Sequence, residues 1–196
     1  MADPVKLIVG LANPGAQYAD TRHNAGAWYV NALARSRGVS LSEDRKYFGL
    51  TGSFTEQGET VRLLIPTTFM NRSGQATAAL ANFFRIPVTQ MLVAHDELDL
   101  APGCIRLKIG GGHGGHNGLR DIVSRHGNQK DFVRLRIGIG HPGNAALVTP
   151  HVLGKPSQDD RILIERAIDE ALRYTGEIVS GELPRAMNGI NSFKPQ

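Results

Sequence analysis

Short apolar, β-rich runs that alternate with helix-like patterns are the feature that most constrains this chain. The run over residues 5–11 closes in a turn sequence, and a helical pattern from about residue 22 to residue 37 follows it. Further strands and helices follow in turn, without repeats or linker-like segments. This alternation predicts one α/β domain over residues 1–196, with helices flanking a mixed, largely parallel twisted sheet.

The other elements are predicted from turn residues, caps and hydrophobic periodicity. Strands are predicted over residues 48–55, 60–65, 91–95, 105–109 and 133–139, the first two forming a hairpin. Helices are predicted over residues 73–84 and 117–125, and a further amphipathic helix is predicted after the capping residue Ser157.

Composition narrows the class of protein. Glycine supplies 23 of the 196 residues without a collagen-like period, so we expect tight turns and close backbone approaches. The net charge of +4 permits an anionic partner without requiring one. A single cysteine, Cys104, excludes an intramolecular disulfide and fits a reducing compartment, most simply the cytoplasm. No apolar run approaches the roughly 18 residues of a membrane span, and no secretory pattern opens the chain.

Polar side chains follow the predicted strands. Asn13 follows the first strand, Asn71 follows the hairpin, Asp96 ends the LVAHD strand, and a glycine-rich loop over residues 110–118 follows the strand that ends at Ile109. Parallel strands bring their carboxyl ends to one edge of an open sheet, where ligands bind. If these strands are parallel, the four segments meet at one site.

The loop GGGHGGHNG has six glycines in nine residues, with His113, His116 and Asn117. Its amides, and a helix N-terminus at Asn117, could receive an oxygen or a phosphate. The alternative is a flexible connector, which is weaker because ordering so many glycines costs entropy. A metal site at His113 and His116 is weaker still, since no third ligand has a recognisable spacing.

His23 and Asp96 are the most informative titratable pair. A histidine near the start of a helix, oriented by a carboxylate, suits a general base for water. The alternative for His23 is a helix cap or a solvent-facing side chain, and spacing does not show that Asp96 reaches His23.

Covalent catalysis is disfavoured because no serine lies in a G-x-S-x-G elbow and Cys104 begins a strand. GLANPG also lacks the spacing of the nucleotide-binding glycine motifs.

Cations alternate with apolar residues on two predicted strands. Arg106 and Lys108 lie on one strand, and Arg134 and Arg136 lie on the other. Because side chains of a strand alternate between faces, each pair lies opposite its apolar neighbours. If the strands are neighbours, the four charges form one patch that could bind phosphate; a solvated strand face is the alternative.

Five ordered motifs resemble the signatures of bacterial peptidyl-tRNA hydrolases. They are KLIVGLANPGAQYADTRHNAGAW, PTTFMNRSG, VAHDELDLAPG, GGGHGGHNGL and RLRIGIGHPG, and weaker similarity continues through VLGKP and the C-terminal helix. The resemblance implies a monomeric α/β enzyme that hydrolyses the ester between a peptide and the 3′ ribose of tRNA. It implies no metal, no organic cofactor, no membrane partner and no stable protein partner.

The resemblance also implies roles for individual residues. His23 is the general base, and Asp96 holds its imidazole in the basic form. Asn13 and Asn71 bind around the scissile ester, where they help to polarise its carbonyl group. His116 and Asn117 are implied to bind the acceptor end of the tRNA. Tyr18, Phe69 and Met70 are implied to line the cleft. Lys108 and Arg136 are implied to grip the tRNA 5′ phosphate.

The segment over residues 144–151 departs from the family pattern. It carries little charge where relatives often have lysines or acidic residues, so a gating role is not carried over to it.

Two other functions remain as alternatives. One is a non-catalytic tRNA- or RNA-binding protein on the same fold, which the basic strands and the glycine-rich loop would suit. The other is a nucleotide- or metal-dependent hydrolase.

Overall fold

A mixed, seven-stranded sheet organises the chain in a computed structural model that describes residues 3–195. Its strands are β1 Leu7–Gly10, β2 Ser42–Asp44, β3 Gly49–Glu56, β4 Glu59–Pro66, β5 Met91–Glu97, β6 Ile105–Ile109 and β7 Val133–Gly138. Their order is β2-β3-β4-β1-β5-β7-β6. The four inner strands are parallel, and antiparallel pairing is found at both ends of the sheet. The predicted α/β fold class is confirmed.

Helices cover both faces of this sheet. They are α1 Ala25–Ser36, α2 Ser73–Phe84, α3 Asn117–Arg125, α4 Val148–Val152, α5 Gln158–Leu172, α6 Thr175–Ser180 and α7 Leu183–Asn191. One core joins α1 and α5 to the sheet, and a second core joins α2 and α3 to its other face. Burial on both faces explains why β1 and most of β5 read as continuous apolar runs.

The strand β6 differs from the expected arrangement. It runs antiparallel to β7, with Ile109 paired to Val133, so its carboxyl end lies where β7 begins. The glycine-rich loop therefore starts at the edge opposite to the ends of β1, β4 and β5. It must cross the sheet before α3 begins, which a loop of glycines in left-handed conformations can do.

Several other elements were not predicted. The short strand β2 and the helices α4, α6 and α7 carry weak sequence signals, while β5 continues two residues beyond the expected end. The helix expected from residue 22 begins as a 3-10 turn over Arg22–Asn24 and becomes α1 at Ala25. Within residues 3–195, no helix is both long enough and apolar enough to span a membrane.

Candidate active site

Asp96 is the centre of the candidate site. It lies near the carboxyl end of β5, and only 4% of it is exposed. Its two carboxylate oxygens lie 3.0 and 2.9 Å from Nδ1 of His23, and the first of them is also 2.8 Å from Nε2 of His116. The structure therefore brings together the histidine and the aspartate that sequence spacing alone could not join.

Close backbone packing brings His23 to this carboxylate. His23 lies in the 3-10 turn that precedes α1, and α1 packs directly on β1 and β5. A Cβ atom on Gly26 would lie 2.2 Å from the carbonyl oxygen of Ala94, and one on Gly10 would lie 2.4 Å from the carbonyl oxygen of Gly26. Only glycine fits at these positions, so part of the glycine excess serves to set the start of α1 against the end of β5.

The hydrogen bonds define the state of the His23 ring. An ionised carboxylate only accepts, so Nδ1–H of His23 donates to Asp96 and its Nε2 keeps a lone pair. Burial alone would lower the pKa of His23, but the negative charge and the hydrogen bond of Asp96 raise it above its usual value. Burial likewise opposes ionisation of Asp96, yet His23 and His116 hold the pKa of Asp96 well below its usual range.

His116 has a structural role as well as a place in the site. It is the N-cap of α3, and its Nδ1 accepts the backbone N–H of Gly118 at 3.1 Å. Its Nε2–H is therefore free to donate to Asp96. The predicted start of α3 at Asn117 is confirmed. However, His116 itself caps amides that the sequence suggested for a phosphate, and Asn117 lies exposed beside them.

His23, Asp96 and His116 also form a possible metal-binding group. Their potential ligand atoms lie within 4.8 Å of one another in the described part of the chain. The hydrogen bonds at His116 oppose that use. A metal at Nε2 of His116 would move the ring proton to Nδ1, where it would face the N–H of Gly118. The donor set therefore suits a hydrogen-bonded carboxylate better than a metal centre.

Asn13 lies on the loop after β1 and is fixed in one orientation. Its backbone N–H donates to Oδ1 of Asn24, and Nδ2 of Asn24 donates to its carbonyl. Its own Oδ1 accepts the backbone N–H of Met70 at 2.7 Å. With Oδ1 engaged, the Nδ2 amide of Asn13 is left as a donor that has no acceptor among residues 3–195.

The predicted cleft residues occupy different positions. Asn71 and Phe69 are exposed and line an open cavity of about 600 Å³ that begins beside Pro14. Met70 is buried instead, because its sulfur packs against Gly118 and accepts the hydroxyl of Ser73. It therefore supports the cleft rather than lining it. Tyr18 is half-buried in the turn before α1, where its carbonyl accepts the Thr21 hydroxyl.

A smaller cavity of about 150 Å³ lies directly against His23 and Asp96. Val148, Thr149 and Val152 of α4 form one of its walls. Sequence reasoning missed these residues because Val148 and Thr149 lie in the segment that departs from the family motifs and Val152 directly follows it. Two contacts fasten this wall: a guanidinium nitrogen of Arg22 donates to the carbonyl of His151 at 2.9 Å, and the His151 ring contacts the carbonyl of Gly140 at 2.9 Å.

The cationic strands are neighbours, as the patch hypothesis required. Arg106 is paired with Arg136, and Lys108 with Arg134, so the four side chains share a face of the sheet. Their environments differ. Arg134 is 3% exposed and donates to the carbonyls of Gly111, at 2.6 Å, and Gly112.

The remaining cations of this face are more accessible. Arg136 donates from Nε to Glu97 at 2.8 Å, and Arg106 donates to the carbonyl of Ile105. Lys108 is exposed at a cavity of about 210 Å³, which it lines with Arg134 and Arg136. Of the four predicted cations, Lys108 and Arg136 thus line this cavity with the buried Arg134 behind them, whereas Arg106 lies on the same face outside it.

A buried carboxylate that orients an imidazole beside a small cavity, at the carboxyl ends of parallel strands, is the arrangement of an α/β hydrolytic enzyme. The family model described as peptidyl-tRNA hydrolase matches residues 7–196. The chain belongs to this family, and the hydrolysis of peptidyl-tRNA is its activity.

Individual relatives agree over the whole chain. The peptidyl-tRNA hydrolase of Alcanivorax borkumensis is 73% identical over 99% of this chain and 100% of its own length. That of Shewanella loihica is 60% identical over 97% of each chain. A crystal structure of peptidyl-tRNA hydrolase from Acinetobacter baumannii superposes with a TM-score of 0.96 at 52% identity, covering 100% of this chain and 99% of that chain.

Proposed function

We propose that His23 is the general base of peptidyl-tRNA hydrolysis and that Asp96 orients it. The observation that carries this proposal is the bond from Nδ1 of His23 to both oxygens of Asp96, which leaves Nε2 as the proton acceptor. A positioned base of this kind accelerates a reaction by roughly 10²- to 10⁴-fold. The small cavity beside His23 has room for a water molecule and the ester.

In the proposed reaction, Nε2 of His23 takes a proton from water as the oxygen attacks the ester carbonyl carbon. The tetrahedral intermediate then collapses, and the bond from this carbon to the 3′ oxygen of the ribose breaks. The proton held on Nε2 passes to that oxygen, so the products are a free tRNA 3′ end and a carboxylic acid. The Nδ2 amide of Asn13 is available to donate to the carbonyl oxygen as negative charge develops on it.

The parts of the substrate are assigned to the two sides of His23. We infer that Lys108 and Arg136 bind the 5′ phosphate of the tRNA, because they line one cavity on the β6–β7 side. His116 and Asn117 border the next cavity and would contact the acceptor end. On the opposite side, Phe69 and Asn71 offer apolar and amide surface to the peptide, and Tyr18 is proposed to extend it.

The absence of a metal from the reaction, a monomeric state and a cytoplasmic location are parts of the same proposal. The tautomer of His116 supports the first of these. The single cysteine, Cys104, is compatible with a reducing compartment.

The test is release of a labelled N-acyl-aminoacyl group from tRNA by the wild type and by His23→Ala. We expect turnover to fall by roughly 10²- to 10⁴-fold while tRNA binding is unchanged and the variant remains folded. His141→Ala is the matched control, since His141 lies on an exposed turn and does not line the His23 cavity. Near-normal turnover by His23→Ala would exclude the mechanism.

A further inference from the structure

His95 is a buried histidine that the proposed reaction does not use. It precedes Asp96 on β5 and is only 3% exposed. Its Nδ1–H donates to the main-chain carbonyl of Asp96 at 2.8 Å, whereas its Nε2 is buried without a hydrogen-bond partner in the described part of the chain. A phenylalanine would fill the same space without burying an unpaired nitrogen, so the donor at Nδ1 needs an explanation.

The course of β1 explains why the carbonyl of Asp96 needs a donor. β1 pairs with β5 only as far as Ala94, whose carbonyl accepts the N–H of Leu11 at 3.1 Å. Main-chain carbonyls two residues apart in a strand point to the same side, so the carbonyl of Asp96 points to the same side as that of Ala94. At Asp96, however, β1 has already ended and offers no strand partner on that side. The carbonyl of Glu97 points the other way and accepts from Ile139 on the β7 side. His95 thus replaces the missing strand partner at the residue that carries the carboxylate.

His95 also contacts the second histidine of the site. Its ring packs edge-on against the ring of His116, with centroids 5.2 Å apart at an interplanar angle of 72°. The ring of His116 is in turn 4.9 Å from that of His23. Three imidazoles therefore surround Asp96, two of them on its carboxylate and the third on its main-chain carbonyl.

His95 is uncharged at neutral pH. Burial, with a smaller contribution from the neighbouring His116, lowers the pKa of His95 to about 4, although Asp96 and Glu97 oppose this shift. The neutral ring has one proton, and the carbonyl of Asp96 fixes that proton on Nδ1. His95 therefore adds no positive charge that could compete with His23 for the carboxylate.

We propose that His95 is a positioning residue for hydrolysis: its Nδ1–H fixes the end of β5, and its ring braces His116, so that Asp96 presents its carboxylate to His23 in one orientation. This inference rests on the proposed function, because it assigns His95 an effect only through the pair of His23 and Asp96. It predicts a larger effect on kcat and on the titration of His23 than on tRNA binding.

Two substitutions separate the donor from the ring. His95→Phe keeps a ring of similar size and removes the donor, whereas His95→Asn keeps an N–H near the position of Nδ1 and removes the ring. We expect kcat of His95→Phe to fall about 10- to 100-fold with a much smaller change in KM, since small displacements of catalytic groups have effects of this size. We expect His95→Asn to retain more of the wild-type kcat than His95→Phe.

The second readout is an NMR titration of the His23 ring, which needs no turnover. In His95→Phe, a less constrained Asp96 attracts the His23 proton more weakly, so the His23 titration should move to lower pH than in the wild type. A lowered melting temperature with unchanged kcat and an unchanged His23 titration would show that His95 is only structural. An effect on KM alone would also overturn the proposal.

If His95→Phe does not fold, His95→Asn decides the question by the same two readouts. A wild-type His23 titration with kcat within a fewfold of the wild type supports the donor role. A loss of kcat and a changed His23 titration despite the retained donor overturn the donor role and leave only the ring contact with His116. His23→Ala is measured in parallel. Full activity of His23→Ala would refute the proposed mechanism itself, whereas an inactive His23→Ala beside a fully active His95→Phe would refute only the role of His95.

Discussion

Two regions of the molecule carry clusters of charged and titratable side chains, and they use them differently. Around Asp96, hydrogen bonds converge on one carboxylate and leave Nε2 of His23 as the unengaged base. On the β6–β7 face, four cations share one surface, but Arg134 is turned inward to loop carbonyls and Arg136 is paired with Glu97. In the first region, the side chains are organised around the Asp96 carboxylate. In the second, some cations stabilise the fold and others are available to bind a ligand.

This difference shows what a residue pattern determines. Alternation along β6 and β7 fixes the face on which a cation lies, because the side-chain period of a strand is two. It does not fix whether the cation meets solvent or backbone. That depends on the glycine-rich loop, which crosses the sheet over Arg134 because β6 is antiparallel to β7.

After loss of His23, the substitution Asp96→Asn should reduce activity most. We expect kcat to fall about 10- to 100-fold, since the amide accepts fewer of the imidazole N–H bonds and carries no charge. The base must be unprotonated, and Asp96 raises the pKa of His23, so the wild-type rate rises with pH through a midpoint above the usual pKa of histidine. In Asp96→Asn this midpoint moves to lower pH. Asp131→Asn, on an exposed residue, serves as the control. An unchanged pH–rate profile would remove Asp96 from its role.

Arg134→Lys tests whether this cation is internal. We expect the free energy of unfolding to fall by about 1–3 kcal/mol, because lysine keeps the charge but cannot reach two loop carbonyls at once. Arg106→Lys on the neighbouring strand is the matched control and should change stability by less than about 0.5 kcal/mol. Denaturant unfolding of both variants measures the difference. Equal stability of the two would make Arg134 another surface charge.

Lys108→Ala tests the outward-facing half of the same surface. We expect KM for peptidyl-tRNA to rise severalfold at unchanged kcat, and the slope of log affinity against log salt to fall by about 0.9 for one lost phosphate contact. Lys46→Ala, on the 3-10 turn over Arg45–Tyr47 and outside this cavity, controls for the loss of one positive charge. An unchanged salt slope in Lys108→Ala would remove this residue from phosphate binding.

Removal of metal ions should change activity least. Dialysis against a chelator should leave kcat and KM of the wild type unchanged, because the His116 ring is held in the tautomer that donates to Asp96. Activity that disappears on chelation and returns with a divalent cation would instead make His23, Asp96 and His116 a metal centre.

Sequence predicted those parts of the fold and site that depend on local signals. The starts of α2 and α3 and the bounds of β6 follow from caps, turns and periodicity, and all are confirmed. The direction of β6 could not be read in this way, because strand pairing is decided by tertiary contacts between distant segments. The same limit applies to the burial of Met70 and Arg134, since each depends on what a distant loop or helix places over it.

Residue chemistry predicted which groups could act, and the fold was needed to join them. His23 and Asp96 are 73 positions apart in the chain, and only the glycine contacts between α1 and the strands bring them within 3.0 Å. The second partner of Asp96, His116, arrives on a loop from the opposite edge of the sheet. The wall formed by α4 has no distinctive composition and becomes visible only as a surface of the His23 cavity.

A ¹⁵N NMR measurement of the imidazole tautomers in the wild type, at a pH where His23 is neutral, tests directly whether Asp96 orients His23 as the base. We predict that His23 carries its proton on Nδ1 and leaves Nε2 unprotonated, while His116 carries its proton on Nε2. A neutral His23 protonated on Nε2 would have no lone pair facing the substrate, and it would contradict the assignment of His23 as the base that Asp96 orients.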